Sequence, residues 1–174
     1  AMLKGLAGVP AQPGLNAIVV TGPLMAEDDR AKLRAEAIGL PATIVAFTDR
    51  MRPLLESADL IVTMGGYNSM LETAALGKPT INIPRSGPSQ EQSIRAELFA
   101  RFGLLTHVPL ESATPGRLTE EISAGLNRRP TPTIALPMNG AQCAAEKLLA
   151  IASKANGRKR PPVFTRGSTL HVVA

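Results

Sequence analysis

Residues able to bind an anion gather in one short stretch, Gly65-Gly66-Tyr67-Asn68-Ser69-Met70-Leu71-Glu72. Paired glycines allow a tight turn and let a ligand approach the backbone closely. Asn68 and Ser69 bring an amide and a hydroxyl, and either can open a helix as its cap. The first turn of a helix carries N–H groups with no intrahelical partner, backed by the positive end of the helix dipole. A glycine turn running into a helix is therefore a natural seat for phosphate. The same residues have a purely structural reading. Ser69-Met70-Leu71-Glu72 fits the S-x-x-E capping box, in which Ser69 and Glu72 satisfy backbone donors and bind nothing else.

Such a site needs a strand before the turn and a helix after it. Leu60 to Met64 has the length and composition of a buried strand. Beyond the turn, Leu71, Ala74 and Ala75 recur at helical spacing until Gly77 and Pro79 stop the run. The alternation repeats along the chain. Strands are expected at Ala17–Val20, Ala42–Phe47, Thr80–Ile83 and Leu104–Val108. Helices are expected at Met2–Leu6 (only the last turns), Glu27–Ile38, Arg50–Ala58, Ser89–Phe102, Thr114–Leu126 and Ala141–Ala152. In the Ser89 helix, Ile94, Leu98 and Phe102 form the expected buried face, and Ser89 and Gln92 the expected capping box. Thr114-Pro115 stands in the favoured order for a helix start.

Strands and helices alternating over short connections predict an α/β fold, a mostly parallel sheet covered on both faces. Ligands bind such sheets at the carboxyl ends of the strands. Both the Gly65-Gly66 turn and the Arg85–Gln92 segment fall there. Residues 1–152 read as one domain, followed by a basic tail over 153–174.

Composition narrows the function classes. The net charge of +5 suits an anionic nucleotide or an acidic lipid surface. Nucleic acid is not expected as a partner, because one Tyr, four Phe and no Trp leave no aromatic stacking surface among the basic residues. The single Cys143 cannot form an internal disulfide and reads as a small core residue. No metal-ligand spacing occurs, so no metal is expected. No apolar run approaches a membrane span and no signal-peptide pattern opens the chain, so a cytoplasmic place is expected, with a membrane-peripheral one compatible.

Longer spacing adds a resemblance. G-Y-N-S-x-x-E at Gly66–Glu72, G-x-P at Gly77–Pro79, then Pro84 and Glu91-Gln92 together resemble the donor-binding signature of GT-B glycosyltransferases. The stretch from Asn16 to Arg128 is most similar to the C-terminal domain of glycosyltransferase family 28, the family of the bacterial lipid II N-acetylglucosaminyltransferase. The resemblance implies a Rossmann-like half of a GT-B fold that binds a nucleotide-sugar, expected to be a UDP-sugar. Gly65, Gly66, Asn68 and Ser69 would hold the diphosphate, and Glu72 the ribose hydroxyls. Glu91 and Gln92 would hold the donor sugar. Phe47, Thr48 and Met51 would lie beside the nucleobase. Other readings stand beside these: an ion pair with Arg95 for Glu91, and core packing for Phe47, Thr48 and Met51. The series is similar also to the signature box of plant nucleotide-sugar glucosyltransferases; Tyr67 stands where those enzymes carry Trp, and is expected to wall the turn.

Two departures qualify the match. Met64 stands where the plant-type signature has a histidine, which removes one phosphate contact. The chain also has no room for the N-terminal domain that usually supplies the acceptor site and catalytic base, so no catalytic residue is assigned. In the family's strand order the first, central strand precedes Ala1 and lies between those at Ala17 and Leu60. The expectation is a donor-binding domain inactive alone, its gap closed by direct pairing or by a strand from a second copy or another subunit. Two alternatives are a non-catalytic nucleotide-sugar-binding subunit of a split transferase and a UDP-sugar 2-epimerase. The latter predicts a histidine in the crevice, where only His107 is near.

Overall fold

A computed structural model of the chain describes residues 1–10, 14–85, 90–128 and 139–155. Two compact units are separated between Leu136 and Pro137. In the second, the described element is one helix, α7 (Gly140–Ala155). The expected Ser89 cap, the 129–138 connection and the tail from residue 156 lie outside the described residues.

The first unit alternates as expected: α1 (Met2–Ala7), β1 (Ala17–Val20), α2 (Glu27–Glu36), β2 (Ala42–Val45), α3 (Met51–Ser57) and β3 (Ile61–Thr63). It continues through α4 (Tyr67–Leu76), β4 (Thr80–Asn82), α5 (Glu91–Arg101), β5 (Thr106–His107) and α6 (Pro115–Leu126). Pairing is parallel throughout. The strands do not form one sheet. β1 pairs with β2, and β3, β4 and β5 pair in that order as a second sheet. Direct pairing of β1 with β3, one of the ways expected to close the gap, therefore does not occur.

Alternation along β4 divides the second sheet into two faces. Ile81 joins Val9, Val108, Leu118 and Ile122 in the apolar core, which puts α1 and α6 on one side. Close approach there uses glycine. A Cβ on Gly5 would stand 2.6 Å from the Leu118 Cβ, and Thr119 donates to the Gly5 carbonyl at 2.7 Å. Thr80 and Asn82 point the other way and are buried, on the face of α4 and α5, where Met70, Thr73 and Ala96 are buried too. α6 starts as its sequence dictates, with the Thr114 hydroxyl accepting from the Arg117 N–H at 3.3 Å and Pro115 in the first turn.

The buried face of α5 is rotated from the expected one. Ile94, Leu98 and Phe102 are exposed, at 62%, 47% and 46%, and α5 instead buries Ala96. The apolar stripe was the stronger sequence signal, but the residue that α5 buries is the small Ala96. α4 buries Met70 and Thr73. β2 stops at Val45, which releases Ala46 and Phe47 into the following loop.

Candidate functional site

The turn after β3 is built from its two glycines in different ways. Gly65 is buried with φ +81°, a left-handed conformation costly for any residue with a Cβ. Gly66 is exposed and forms the N-cap of α4, its carbonyl accepting the first helical bond from the Met70 N–H at 3.0 Å. No side chain caps this end. Tyr67, Asn68 and Ser69 thus occupy the first three helical positions, where N–H groups have no intrahelical acceptor. The capping box that was the other reading of Ser69 and Glu72 does not form, because Gly66 is the N-cap and Ser69 already stands inside the helix. Asn68, Ser69 and Glu72 are exposed, and the Ser69 hydroxyl lies 3.8 Å from where a Cβ on Gly66 would be. Glu72 stands i+3 from Ser69, on the same side of the helix.

Beneath the turn lies a row of polar residues in register, Thr63, Asn82 and His107. Their side chains share one face. The Gly65 N–H donates to the Thr63 hydroxyl at 3.3 Å, and the Asn82 amide donates to the Thr63 carbonyl at 3.4 Å. Asn82 is 0% exposed. Among the described residues, the buried side-chain atoms with no hydrogen-bond partner are Asn82 Oδ1, Gln92 Oε1 and His107 Nε2. A buried polar atom left unpaired costs about 1–3 kcal/mol. All three belong to the carboxyl end of the β3–β4–β5 sheet or to the first turn of α5 beside it.

The second segment assigned to the site opens α5. Glu91 forms an ion pair with Arg95, the alternative its spacing offered, and the Arg95 guanidinium sits 5.0 Å from the Tyr67 ring centre. Arg95 thus ties the start of α5 to the start of α4. Gln92 is half-buried.

Phe47 and Met51 are exposed, at 63% and 39%, which is not the core packing that was their other reading. The Thr48 hydroxyl accepts from the Arg50 N–H at 3.0 Å and so shapes the β2–α3 loop. The structure therefore brings Gly65, Gly66, Asn68, Ser69 and Glu72 together on one turn and helix. It sets Glu91 and Gln92 on the neighbouring helix, and leaves Phe47, Thr48 and Met51 on the β2–α3 connection. Among the described residues no group of three or more His, Cys, Asp or Glu side chains could hold a metal ion. None of their helices is long and apolar enough to cross a membrane.

Sequence reasoning passed over Asn82, although an amide within Thr80-Ile81-Asn82-Ile83 is the signal to look for: a polar residue in a strand otherwise destined for burial. It also passed over Arg30. That buried guanidinium donates to the Thr21 hydroxyl and to the Gly22 and Met25 carbonyls, and pairs with Glu27. Glu27 lies between Arg34 and Arg30, whose hydrogen bonds hold its carboxyl below the usual glutamate range.

Comparison with known proteins bears on the whole arrangement. An N-acetylglucosaminyltransferase of Synechococcus elongatus, named for transfer to pyrophosphoryl-undecaprenol N-acetylmuramyl-pentapeptide, is 32% identical over 105 residues, 60% of this chain and 29% of that protein. The Rhodopseudomonas palustris (strain BisB18) enzyme of the same name is 28% identical over 138 residues, 75% of this chain and 36% of its own. The chain spans about a third of the length of these relatives. Among solved structures, Acinetobacter baumannii MurG superposes with a TM-score of 0.69 at 20% identity, covering 85% of this chain and 44% of that one. The glycosyltransferase VinC, solved in complex with dTDP, gives 0.60 at 20% identity, covering 88% and 38%. These likenesses establish the fold, a Rossmann-like half of the GT-B type. The sequence model of the glycosyltransferase family 28 C-terminal domain matches residues 5–153, and the chain belongs to that family.

Proposed function

We propose that this chain is the donor-binding part of a glycosyltransferase that uses a UDP-sugar. The observation that carries the reading is the uncapped start of α4 behind the left-handed Gly65. A diphosphate resting there meets the N–H groups of the first helical turn and the Ser69 hydroxyl. Glu72, one turn further on, accepts from the two ribose hydroxyls, one at each carboxylate oxygen. Gln92 and Glu91 reach the donor sugar from α5, with Arg95 holding Glu91 in place. The exposed Phe47 and Met51, with Thr48 between them in the loop, serve the nucleobase.

In the reaction, the bond between the sugar anomeric carbon and the diphosphate oxygen breaks as an acceptor oxygen bonds to that carbon. The charge growing on the departing UDP is met by donors already fixed in position, so little reorganisation is needed. The acceptor proton goes to a base outside this chain.

The edges of β1 and β3, unpaired among the described residues, support a contribution from elsewhere to the fold as well as to the chemistry. A parallel strand between those edges would join the two sheets, supplied by a longer polypeptide or by a separate subunit. In the second case the chain is the nucleotide-sugar-binding subunit of a split transferase. On both readings it is inactive alone.

Calorimetric titration with UDP, of the wild-type chain and of Glu72→Ala, tests the assignment. A few charge-assisted hydrogen bonds, less the cost of association, give a Kd of about 0.1–1 mM. Loss of one such bond should weaken this about tenfold. Equal affinity of the two proteins would remove Glu72 from the ribose.

A further inference from the structure

We infer that Asn82 is a positioning residue of the anion-binding turn: its carboxamide is the floor that holds Gly65 and Gly66 at the height which aims the first N–H groups of α4 outward. The inference rests on the donor-site reading above and adds to it a residue that no ligand touches.

Three observations carry it. First, Asn82 is fully buried, yet its side chain is an amide, and the Oδ1 of that amide has no partner. Its strand neighbour Ile81, facing the opposite way, is the apolar residue that such a position ordinarily holds. Second, an ideal Cβ on Gly65 would stand 2.5 Å from Asn82 Nδ2 and 3.2 Å from Oδ1. The carboxamide occupies the very space a side chain at position 65 would fill. Third, the Asn82 amide is bound to the carbonyl of Thr63, whose hydroxyl accepts the Gly65 N–H. Strand end, carboxamide and turn form one connected support.

Without the carboxamide Gly65 stands over a void, its N–H tied to the Thr63 hydroxyl by a long hydrogen bond. It can then sink, and the N–H groups that follow lose their aim. Glu72 is little affected, because α4 is anchored separately through the buried Met70 and Thr73. Loss of Asn82 should therefore weaken contacts to the diphosphate while sparing those to the nucleoside. An aspartate at the same place keeps the shape but sets a negative charge beneath the phosphates and forfeits the donor to Thr63.

The test compares UDP with uridine, titrated by NMR chemical shifts into the 174-residue chain, Asn82→Ala and Asn82→Asp. Asn82→Ala should lose about fivefold or more in UDP affinity and keep that for uridine, the scale of one weakened hydrogen-bonded contact. Asn82→Asp should lose more at neutral pH. Relative to wild type at the same pH, its UDP affinity should recover on acidification, as a buried carboxyl becomes neutral and able to donate. An unchanged UDP-to-uridine ratio in folded Asn82→Ala, or a parallel loss of both ligands, overturns the inference and leaves the donor site standing. Should the alanine variant not fold, a flat pH response of Asn82→Asp relative to wild type overturns it instead. If wild type binds neither ligand, the donor-site reading falls, and this inference with it.

Discussion

Replacing Gly65 with alanine probes the turn through stability, independently of any ligand. Two separate terms set the expected loss. At φ +81° an L-residue is strained by about 1–2 kcal/mol. The new Cβ also falls 2.5 Å from Asn82 Nδ2, which is fully buried and bound to the Thr63 carbonyl, so it cannot swing aside. Overpacking at such a site costs about 1–3 kcal/mol. The sum, about 2–5 kcal/mol, is a large share of the 5–15 or so that stabilises a domain. Urea denaturation followed by circular dichroism reads it. With a slope of about 2 kcal/mol per molar, the midpoint should fall by about 1–2.5 M. The double variant with Asn82→Ala then separates the terms. Clearing the amide relieves the clash but not the strain, so the cycle should show a favourable coupling of about 1–3 kcal/mol. A loss below about 1 kcal/mol would refute the left-handed turn, and absence of coupling would refute its contact with Asn82.

Other consequences are as direct. Gly125→Ala should destabilise by less than Gly65→Ala in the same assay, by about 1 kcal/mol or less, because its Cβ meets only the end of the half-buried Leu60 side chain at 2.6 Å and alanine favours the helix. The ratio of UDP to uridine affinity should not change, since that contact belongs to the α6 side of the sheet. Thr114→Ala removes the side-chain cap of α6 and should cost about 0.5–2 kcal/mol, whereas Thr114→Ser should cost much less. Glu27 is held below its ordinary range by Arg34 and Arg30, so it binds its proton more weakly folded than unfolded. Its contribution is therefore present above the unfolded pKa and lost as pH falls through the folded one. The difference in melting temperature between wild type and Glu27→Gln should close on acidification through that window and be small throughout, as befits an exposed carboxylate.

The order of elements was legible because strand–helix alternation and glycine stops are local signals. Thr114-Pro115 and Gly77 punctuate their helices as their chemistry requires. Facing was less legible. A helix shows its apolar stripe in sequence, but which stripe is buried depends on how close the sheet comes, and α5 turns Ala96 inward and Ile94 outward. The glycine turn and the helix that follows it could be read from spacing alone. The capping-box reading of Ser69 could not be dismissed until the helix was seen to start at Tyr67. Asn82 and Arg95 were hidden for another reason. Their roles come from contacts across elements, with Gly65 and Tyr67, that no single window of sequence contains.

The division of the strands into two sheets also bears on how the molecule comes apart. No residue of β1 or β2 is fully buried, and no ladder bond ties that pair to β3. A two-stranded parallel ribbon has little stability of its own. Its amides should exchange with solvent through local openings far cheaper than global unfolding, while those of β4, which has a bonded neighbour on each side, should exchange last. The glycine turn follows a strand of the slower sheet, and the β2–α3 loop follows a strand of the faster pair. One half of the proposed nucleotide site would then be standing before the other, and a bound nucleobase would register as slowed exchange in β1 and β2.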